Sequence, residues 1–595
     1  MRAPQRLTRR WYRLELKAAR LLDAIGLAEN QKTLALTLLI GVVCGWAAVA
    51  FHLALDVAER QLIGRAMGWS LGSRVLGLLL IPTAGGLLAG ALLRFVEEAR
   101  GSGIPQVKAA YHLNYGRIPF KVVLAKMGLG TLCIGSGLSL GREGPTVQIC
   151  AGIASLFGRL AAVSRRTLMS LVPVGSAAGL AAAFNTPIAA VTFTLEEIVG
   201  DLSHRSIGAI VVASVIAAVI EHGILGSQSL FSVPPYAFNG ARELPFYAML
   251  GVLAAGLSVL FTTSLLWLRR WFLRWDIPPW VKPGVGGCVV GLIGLVALEA
   301  WGARGIFGIG YDTLSRALRG EMAFRLALVL LVAKLVATAV SYSSGAAGGI
   351  FAPVLFIGGM LGSLVGTLAA HVLHTDATRT AGAFALVGMG AVFAGALRAP
   401  ITSVLIIFEM TNAYSIILPL MIANAISYSI ASRLSPTPVY EALLLQDGVH
   451  LPHRAPPHVL GRMTVASAMT RDVVTLPDVL TVEAAYERAS RYGYHAYPVV
   501  DVRNRLVGII TINDLRREIG RGNGSKLLGD VAVRPVVHTH PDHTLEHALL
   551  KLGRWDISQL PVVSRLDDRR IVGILTLGDI ARARARWVEE QSPRD

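Results

Sequence analysis

The sequence predicts an all-α polytopic membrane domain, built as an inverted repeat of broken, tilted helices, followed by a smaller α/β module. Three observations carry this. Mean hydropathy is +0.56 and only 16% of the 595 residues are charged, a composition of multi-spanning membrane proteins. Apolar stretches recur over 34–54, 75–94, 121–140, 147–161, 206–225, 246–268, 283–301, 325–342, 350–371 and 401–431. Beyond Tyr440 the chain becomes polar and alternating.

The first segment, 1–30, is a basic leader. Arg2, Arg6, Arg9, Arg10, Arg13, Lys17 and Arg20 stand against the single acid Glu15, which puts the N-terminus on the cytoplasmic side. No small-residue cleavage site follows, so a removable signal peptide is not expected. The net charge of +18 comes with no nucleic-acid motif, and basic loops beside anionic lipid account for it. Cys44, Cys133, Cys150 and Cys288 lie in apolar segments without Cys-x-x-Cys spacing, so they read as packing residues and not as metal ligands or disulfides.

Several apolar stretches are shorter than the roughly 20 residues a full span needs, or are cut by Gly and Pro. Three glycine-framed pentapeptides cut deepest: Gly101-Ser102-Gly103-Ile104-Pro105, Gly141-Arg142-Glu143-Gly144-Pro145 and Gly349-Ile350-Phe351-Ala352-Pro353. Inside a bilayer such breaks are tolerated where the freed backbone lines a cavity or binds something. A helix starting at a break aims unpaired N–H groups and a positive dipole end at that place. Several such ends together make an anion site. Glu143, a carboxylate at membrane depth, is a functional residue on the same grounds.

The membrane part, 31–445, repeats itself. Thr186-Pro187-Ile188-Ala189-Ala190-Val191 is echoed by Ala399-Pro400-Ile401-Thr402-Ser403-Val404, and Glu196 follows Pro187 at the spacing by which Glu409 follows Pro400. Upstream, Gly141 to Pro145 is echoed by Gly349 to Pro353. Repeats of this kind usually have inverted topology and hold substrate where the halves meet. Features common to both halves, including Glu196 and Glu409, read as scaffold with a local job of accepting hydrogen bonds at helix ends. Glu143 aligns with Phe351, and Glu197 with Met410. Those two acids depart from the repeat, so folding does not demand them, and they read as the functional carboxylates.

These motifs, in order and ending in Pro438-Val439-Tyr440, resemble the CLC family of chloride channels and chloride/proton exchangers. The resemblance covers about 31–445. It implies a CLC-type inverted-repeat fold, a homodimer with one anion pathway in each subunit, and chloride and protons as the transported ions. It implies further that the hydroxyls of Ser102 and Tyr440 and the amides of Ile350 and Phe351 hold a central anion. Neutral donors and helix ends suit that task, because they replace hydration without trapping the ion as a buried Lys or Arg would. Glu143 matches the family's gating glutamate, whose ionised carboxylate competes with the anion. Glu197 matches the inner proton-transfer glutamate of the exchangers; a solvated helix-end carboxylate is the alternative there. Lys126 matches a family lysine near the pathway, with no more than an electrostatic part expected. The stretches Phe193–Arg205 and Gln106-Val107-Lys108 differ from the best-known bacterial exchangers. The implied setting is a multi-pass protein of a bacterial inner membrane. A passive voltage- or pH-gated chloride channel on the same fold is the alternative.

After a Pro-rich linker over 446–462, the tail contains a second repeat. Pro498-Val499-Val500 precedes Gly508-Ile509-Ile510-Thr511-Ile512-Asn513-Asp514, and Pro561-Val562-Val563 precedes Gly573-Ile574-Leu575-Thr576-Leu577-Gly578-Asp579. Each reads as strand, turn, strand and helix start. This resembles a tandem pair of CBS domains, about 463–521 and 525–588, placed in the cytoplasm with a regulatory role. The resemblance implies that Thr511/Asp514 and Thr576/Asp579 can bind an adenine nucleotide (ATP, ADP or AMP). The alternative is that they simply cap helices. Arg582, Arg584 and Arg586 read as a solvated helix face.

Other classes lack support. Gly137-Leu138-Ser139-Leu140-Gly141 fits G-x-S-x-G, but a hydrolase elbow needs a strand-to-helix turn and a partner His, and the stretch reads as a glycine-packed apolar helix. No His-Glu-x-x-His or Walker A sequence occurs, so neither an enzyme nor an ATP-driven pump is expected, and no cofactor or metal.

Overall fold

The computed structural model describes residues 29–202, 206–226, 230–231, 233–234, 236, 240–451, 459–565 and 567–591. The basic leader, the end of the Phe193–Arg205 stretch and most of the Pro-rich linker lie outside the described residues. The chain divides into two compact units, Met1–Leu451 and Pro452–Asp595.

The first unit is helical. Among the described residues, ten helices are long and apolar enough to cross a membrane. Glu29–Glu59 and Leu244–Arg274 have 31 residues each. At about 1.5 Å per residue they reach roughly 46 Å, well beyond the ~30 Å hydrocarbon core, so they must tilt. The run 401–431 is not one span: it breaks into Pro400–Thr411 and Ile417–Leu434, with Asn412 left-handed between them.

Two further spans, Arg165–Phe184 and Ala377–Leu397, are rich in Ala and Gly and sit inside the protein. Every residue from Thr380 to Leu397 is buried. Ala377–Leu397 packs along Phe351–Leu373, and Arg165–Phe184 packs the same way along Glu143–Leu160. Small residues let these backbones touch: a Cβ on Gly388 would run into the Gly358 carbonyl. The glycine-rich 137–141 segment is not helical but an irregular link between Phe120–Gly135 and Glu143–Leu160. Ser139 is buried there, its hydroxyl 3.1 Å from that of Thr338 and its amide donating to Ser341 Oγ at 3.0 Å. That corrects the helical expectation for this segment. Cys44, Cys133 and Cys150 pack in the core as expected, whereas Cys288 is exposed.

The scaffold carboxylates act across the halves, not locally. Glu196 accepts from the amides of Ile401 (3.3 Å) and Thr402 (2.9 Å) and from Thr402 Oγ1 (2.6 Å), at the start of the second-half helix Pro400–Thr411. Glu409 returns the bond, accepting from Ile188 N (3.0 Å) and Ala189 N (2.7 Å) at the start of Pro187–Phe193. Each half caps the other's Pro-led helix.

The second unit has two small α/β layers. In the first, Leu476–Pro477 pairs parallel with Ala496–Val500, which pairs antiparallel with Leu506–Thr511. In the second, Gln559–Ser564 pairs antiparallel with Asp567–Thr576, and Thr539 bridges Val562 in parallel. The leading segments cross over. Residues around Val465 and Met469 pack in the second repeat's core, and Thr470 pairs with Ile574; Val531 and Ala532 pack with the first repeat. Leu460, at the end of the expected linker, also packs against the second core. A division into consecutive blocks therefore understates how the repeats interlock.

Candidate functional site

Helices Ile104–Leu113, Glu143–Leu160, Phe351–Leu373 and Val439–Gln446 begin at the backbone breaks. Two bridges between the halves hold the breaks together. Gly141 and Gly349 exchange N–H···O bonds of 2.7 Å each. Gly101 donates to Ala346 O (3.1 Å) and accepts from Gly348 N (3.0 Å). The starts at Glu143, Phe351 and Val439 have no side-chain cap, so their first amides keep their donor capacity.

Ser102 and Tyr440 are fully buried, and their hydroxyls face each other without a hydrogen bond of full geometry. The Val439 helix packs on the Ile104 helix, which brings the Tyr440 hydroxyl up to Ser102. Gly144 is required beside them, because a Cβ there would collide with Ser102 Oγ. Leaving a buried hydroxyl unpaired costs about 1–3 kcal/mol. Two such donors beside uncapped helix starts can be satisfied by an anion. Ile350 and Phe351 open one of those starts, and the Phe351 ring packs against Phe184, Phe193 and Phe393 at centroid distances of 5.1, 5.5 and 4.6 Å.

Glu143 is fully buried. Its Oε1 accepts a 2.6 Å bond from Tyr311, the first residue of helix Tyr311–Leu318, while Oε2 makes no hydrogen bond of full geometry and faces the amides of Glu143 and Ala352 at the two helix starts. A Cβ on Gly141 would collide with Oε2, so this oxygen lies against the Gly141–Gly349 bridge. Arg142 does not take the carboxylate: its guanidinium donates to Ala183 O at 3.0 Å. Sequence reasoning missed Tyr311, whose one signal is the Gly308-Ile309-Gly310 cluster before it.

Glu197 lies in the π-helical turn Thr194–Val199, only 4% exposed, which excludes the solvated alternative. Its Oε1 is 2.8 Å from Lys108 Nζ on the Ile104 helix, and His112 Nε2 lies 3.1 Å from Ile198 O on the same turn. Lys108 belongs to the stretch noted as divergent, and the structure gives it a partner 89 residues away.

Lys126 is no background charge. Fully buried, it donates to Ala99 O (2.9 Å) and Gly101 O (2.5 Å), the carbonyls just before Ser102. Its repeat counterpart is Lys334, each standing fifteen residues before its bridging glycine. Lys334, also fully buried, donates to the carbonyls of Gly305, Ile306 and Gly308, at 3.1, 3.2 and 2.8 Å. Two buried ammonium groups thus clamp the carbonyls freed by two backbone breaks. The signal for Lys334, a lone cation in an apolar run at a repeat position, was legible but went unread.

In the tail, both Thr-x-x-Asp elements form complete capping boxes. Asp514 N donates to Thr511 Oγ1 (3.0 Å), and Asp514 Oδ2 accepts from Thr511 N (3.2 Å); the Asp579–Thr576 pair repeats this at 3.1 and 2.9 Å. The remaining Asp oxygens face Arg517 (3.6 Å) and Arg582, so Arg582 is paired and not merely solvated.

This geometry has relatives. The model of the voltage gated chloride channel family matches residues 85–432, more than half of the chain. The chain belongs to that family. CBS domain models match 465–521 and 528–586. A ClcB-like protein of Ralstonia nicotianae is 34% identical over 436 residues, covering 71% of this chain and all of the relative. The H(+)/Cl(-) exchange transporter ClcA of Yersinia pestis is 32% identical over 68% of this chain and 85% of its own. Among solved structures, a slow cyanobacterial Cl-/H+ antiporter aligns with a TM-score of 0.62 and 27% identity, over 70% of this chain and 98% of the other. A eukaryotic CLC transporter shares the fold at a TM-score of 0.60 and 21% identity, over 92% and 98%. The chain is thus a multi-pass integral membrane protein of an anion-transporting family, with two C-terminal CBS domains. Family members are transporters or channels, not enzymes.

Proposed function

We propose that this chain is a secondary-active chloride/proton antiporter of a bacterial inner membrane. It would work as a homodimer with one pathway in each subunit, its N-terminus and CBS tail facing the cytoplasm. One observation carries the reading: a fully buried glutamate, Glu143, with one oxygen on Tyr311 and the other facing two uncapped helix starts, beside the bridge that joins them. A carboxylate and an anion compete for such a place, because two negative charges in low dielectric repel strongly. Protonation neutralises Glu143 and admits the anion, so each proton taken up exchanges with chloride. Ser102, Tyr440 and the amides of Ile350 and Phe351 hold the dehydrated chloride. Tyr311 holds Glu143 in the anion's place until protonation releases it, and Glu197 passes protons to the cytoplasmic side. The tail adjusts transport through an adenine nucleotide at Thr511/Asp514 or Thr576/Asp579, once Arg517 or Arg582 is displaced.

One feature favours a second reading. Lys108 holds Glu197 in a buried ion pair, which gives the carboxylate a structural partner of its own. If Glu197 were only a member of that pair, Glu143 would gate a passive chloride channel. Proteoliposomes loaded with a chloride gradient decide the matter. An exchanger drives protons uphill, and its reversal potential shifts with pH. A channel moves no protons and ignores the pH gradient.

A further inference from the structure

The second tail repeat carries histidines that the first does not. The parallel bridges Leu476↔Val499 and Thr539↔Val562 occupy equivalent places in the two repeats. On that alignment His538 and His540 stand where the first repeat has Thr475 and Pro477. The repeat folds without imidazoles at these positions, so their presence calls for another cause.

Local geometry puts the two rings together. Thr539 is extended, donating to Pro561 O (3.0 Å) and accepting from Val563 N (2.9 Å), and it is fully buried. In an extended strand residues two apart share a face, so burial of Thr539 turns His538 and His540 to the opposite side. Asp568, exposed near the start of the neighbouring strand Asp567–Thr576, meets them there. One ligand atom from each of the three lies within 4.8 Å of the others.

The hydrogen bonds fix the state of the rings. His538 Nδ1 is 3.0 Å from Val536 O, and His540 Nδ1 is 3.2 Å from Val563 O. A carbonyl oxygen only accepts, so Nδ1 carries the proton in both, and the lone pair of each neutral ring is on Nε2. A metal-binding histidine is typically held this way, with its other N–H on a backbone carbonyl. Two cations beside the site are engaged: Arg565 binds both oxygens of Asp542 at 2.9–3.1 Å, and Lys551 Nζ donates to His538 O at 3.0 Å.

We propose that His538, His540 and Asp568 form a binding site for a divalent transition-metal ion of the zinc class, completed by water. Two imidazoles and one carboxylate suit a borderline ion, whereas magnesium and calcium prefer all-oxygen shells. Metal–ligand bonds of about 2.0–2.2 Å require the three groups to draw in, and Asp568 on its exposed strand is free to turn. The site joins the 538–540 strand to the hairpin. The turn after His540 also receives the segment that enters the tail, since Val465 N donates to His543 O at 2.8 Å and Ala466 N to Pro541 O at 2.9 Å. Bound metal therefore stiffens the place where the chain enters the tail.

Cobalt(II) is the direct probe. The full-length protein, without a polyhistidine tag and stripped with EDTA, is titrated with cobalt chloride in detergent, followed by displacement with zinc. The expected result is a visible d–d band that saturates at one ion per chain and vanishes on adding zinc. H538Q and H540Q should abolish the band, and D568N should weaken binding at least tenfold. H547Q, whose ring touches His543 and not the site, should leave it unchanged. D568N alters only an exposed side chain, so its loss of affinity cannot come from unfolding. Absence of a band, or its equal loss in H547Q, would overturn the proposal.

Discussion

The ion pair between Lys108 and Glu197 lets the two roles of Glu197 be separated. Glu197→Gln keeps an oxygen within reach of Lys108 but removes the charge. Lys108 is then a mostly buried cation, its side chain 13% exposed, facing a neutral amide. Removing one partner of a buried pair costs about 3–5 kcal/mol, and the partial access of water to Lys108 brings this nearer 2–3 kcal/mol. Unfolding entropy of about 2.1 cal/mol/K per residue, taken over the 451-residue first unit, converts that to a fall in Tm of roughly 2–3 °C. Lys108→Met with Glu197→Gln removes both charges and should recover most of the loss. Scanning fluorimetry in detergent reads the stability, and chloride-driven acidification in proteoliposomes reads the coupling. If Glu197 carries protons, coupling stays lost in the double variant although stability returns. Were coupling to return together with stability, Glu197 would be a structural member of the pair, and the proton route would have to run elsewhere.

Four further outcomes follow from the geometry. Glu143→Gln should stop proton movement while chloride flux continues, in paired flux assays; normal pumping by a folded variant would remove Glu143 from the coupling. Glu196→Gln keeps one acceptor oxygen, which turns to Thr402, and loses the 3.3 Å bond from Ile401 N together with the charge at the start of Pro400–Thr411, about 1 kcal/mol, so Tm should fall while the ratio of chloride to protons is unchanged. Tyr440→Phe and Ser102→Ala should each weaken chloride binding by about 0.5–1.5 kcal/mol in calorimetric titration; unchanged values would remove these hydroxyls from the anion site. Asp514→Ala with Asp579→Ala in the full-length protein should abolish binding of ATP, ADP and AMP. If the wild-type protein binds none of the three, both elements are helix caps alone.

Much of this was legible because Gly and Pro act locally. A glycine-framed break, a Pro-led helix start or a Thr-x-x-Asp cap is specified by neighbouring residues, so the three pentapeptides and both capping boxes lie where the sequence puts helix starts. Pairing across the fold left no such trace. Glu196 and Glu409 carried the right chemistry, acceptance at helix starts, but not the direction, because crossing between halves is a property of the inverted arrangement. Lys108 and Glu197 meet through the packing of the Ile104 helix against a π-helical turn, and no periodicity links them. The spans Arg165–Phe184 and Ala377–Leu397 were passed over because Ala and Gly give a weaker apolar signal than Leu or Ile. Being inside the protein, they present little bulk to lipid.

The structure also explains how one backbone can hold a carboxylate in one half and a phenyl ring in the other. Symmetric parts build the frame: the two lysine clamps, the crossed caps and the Gly141–Gly349 bridge. At equivalent positions beside that bridge stand Glu143 and Phe351, both fully buried. Phe351 is closed in by three aromatic rings, an apolar surround that would penalise a carboxylate. Glu143 has a donor in the Tyr311 hydroxyl, which comes from the other half. The asymmetry is therefore in the neighbours, not in the main chain. An acid grafted onto position 351 would meet that apolar surround, whereas Glu143 has a hydroxyl on one side and helix-start amides facing its other oxygen. A group held by one full hydrogen bond, with only helix-start amides facing its second oxygen, can leave its place without breaking the frame, and that freedom is what a gating and coupling carboxylate needs.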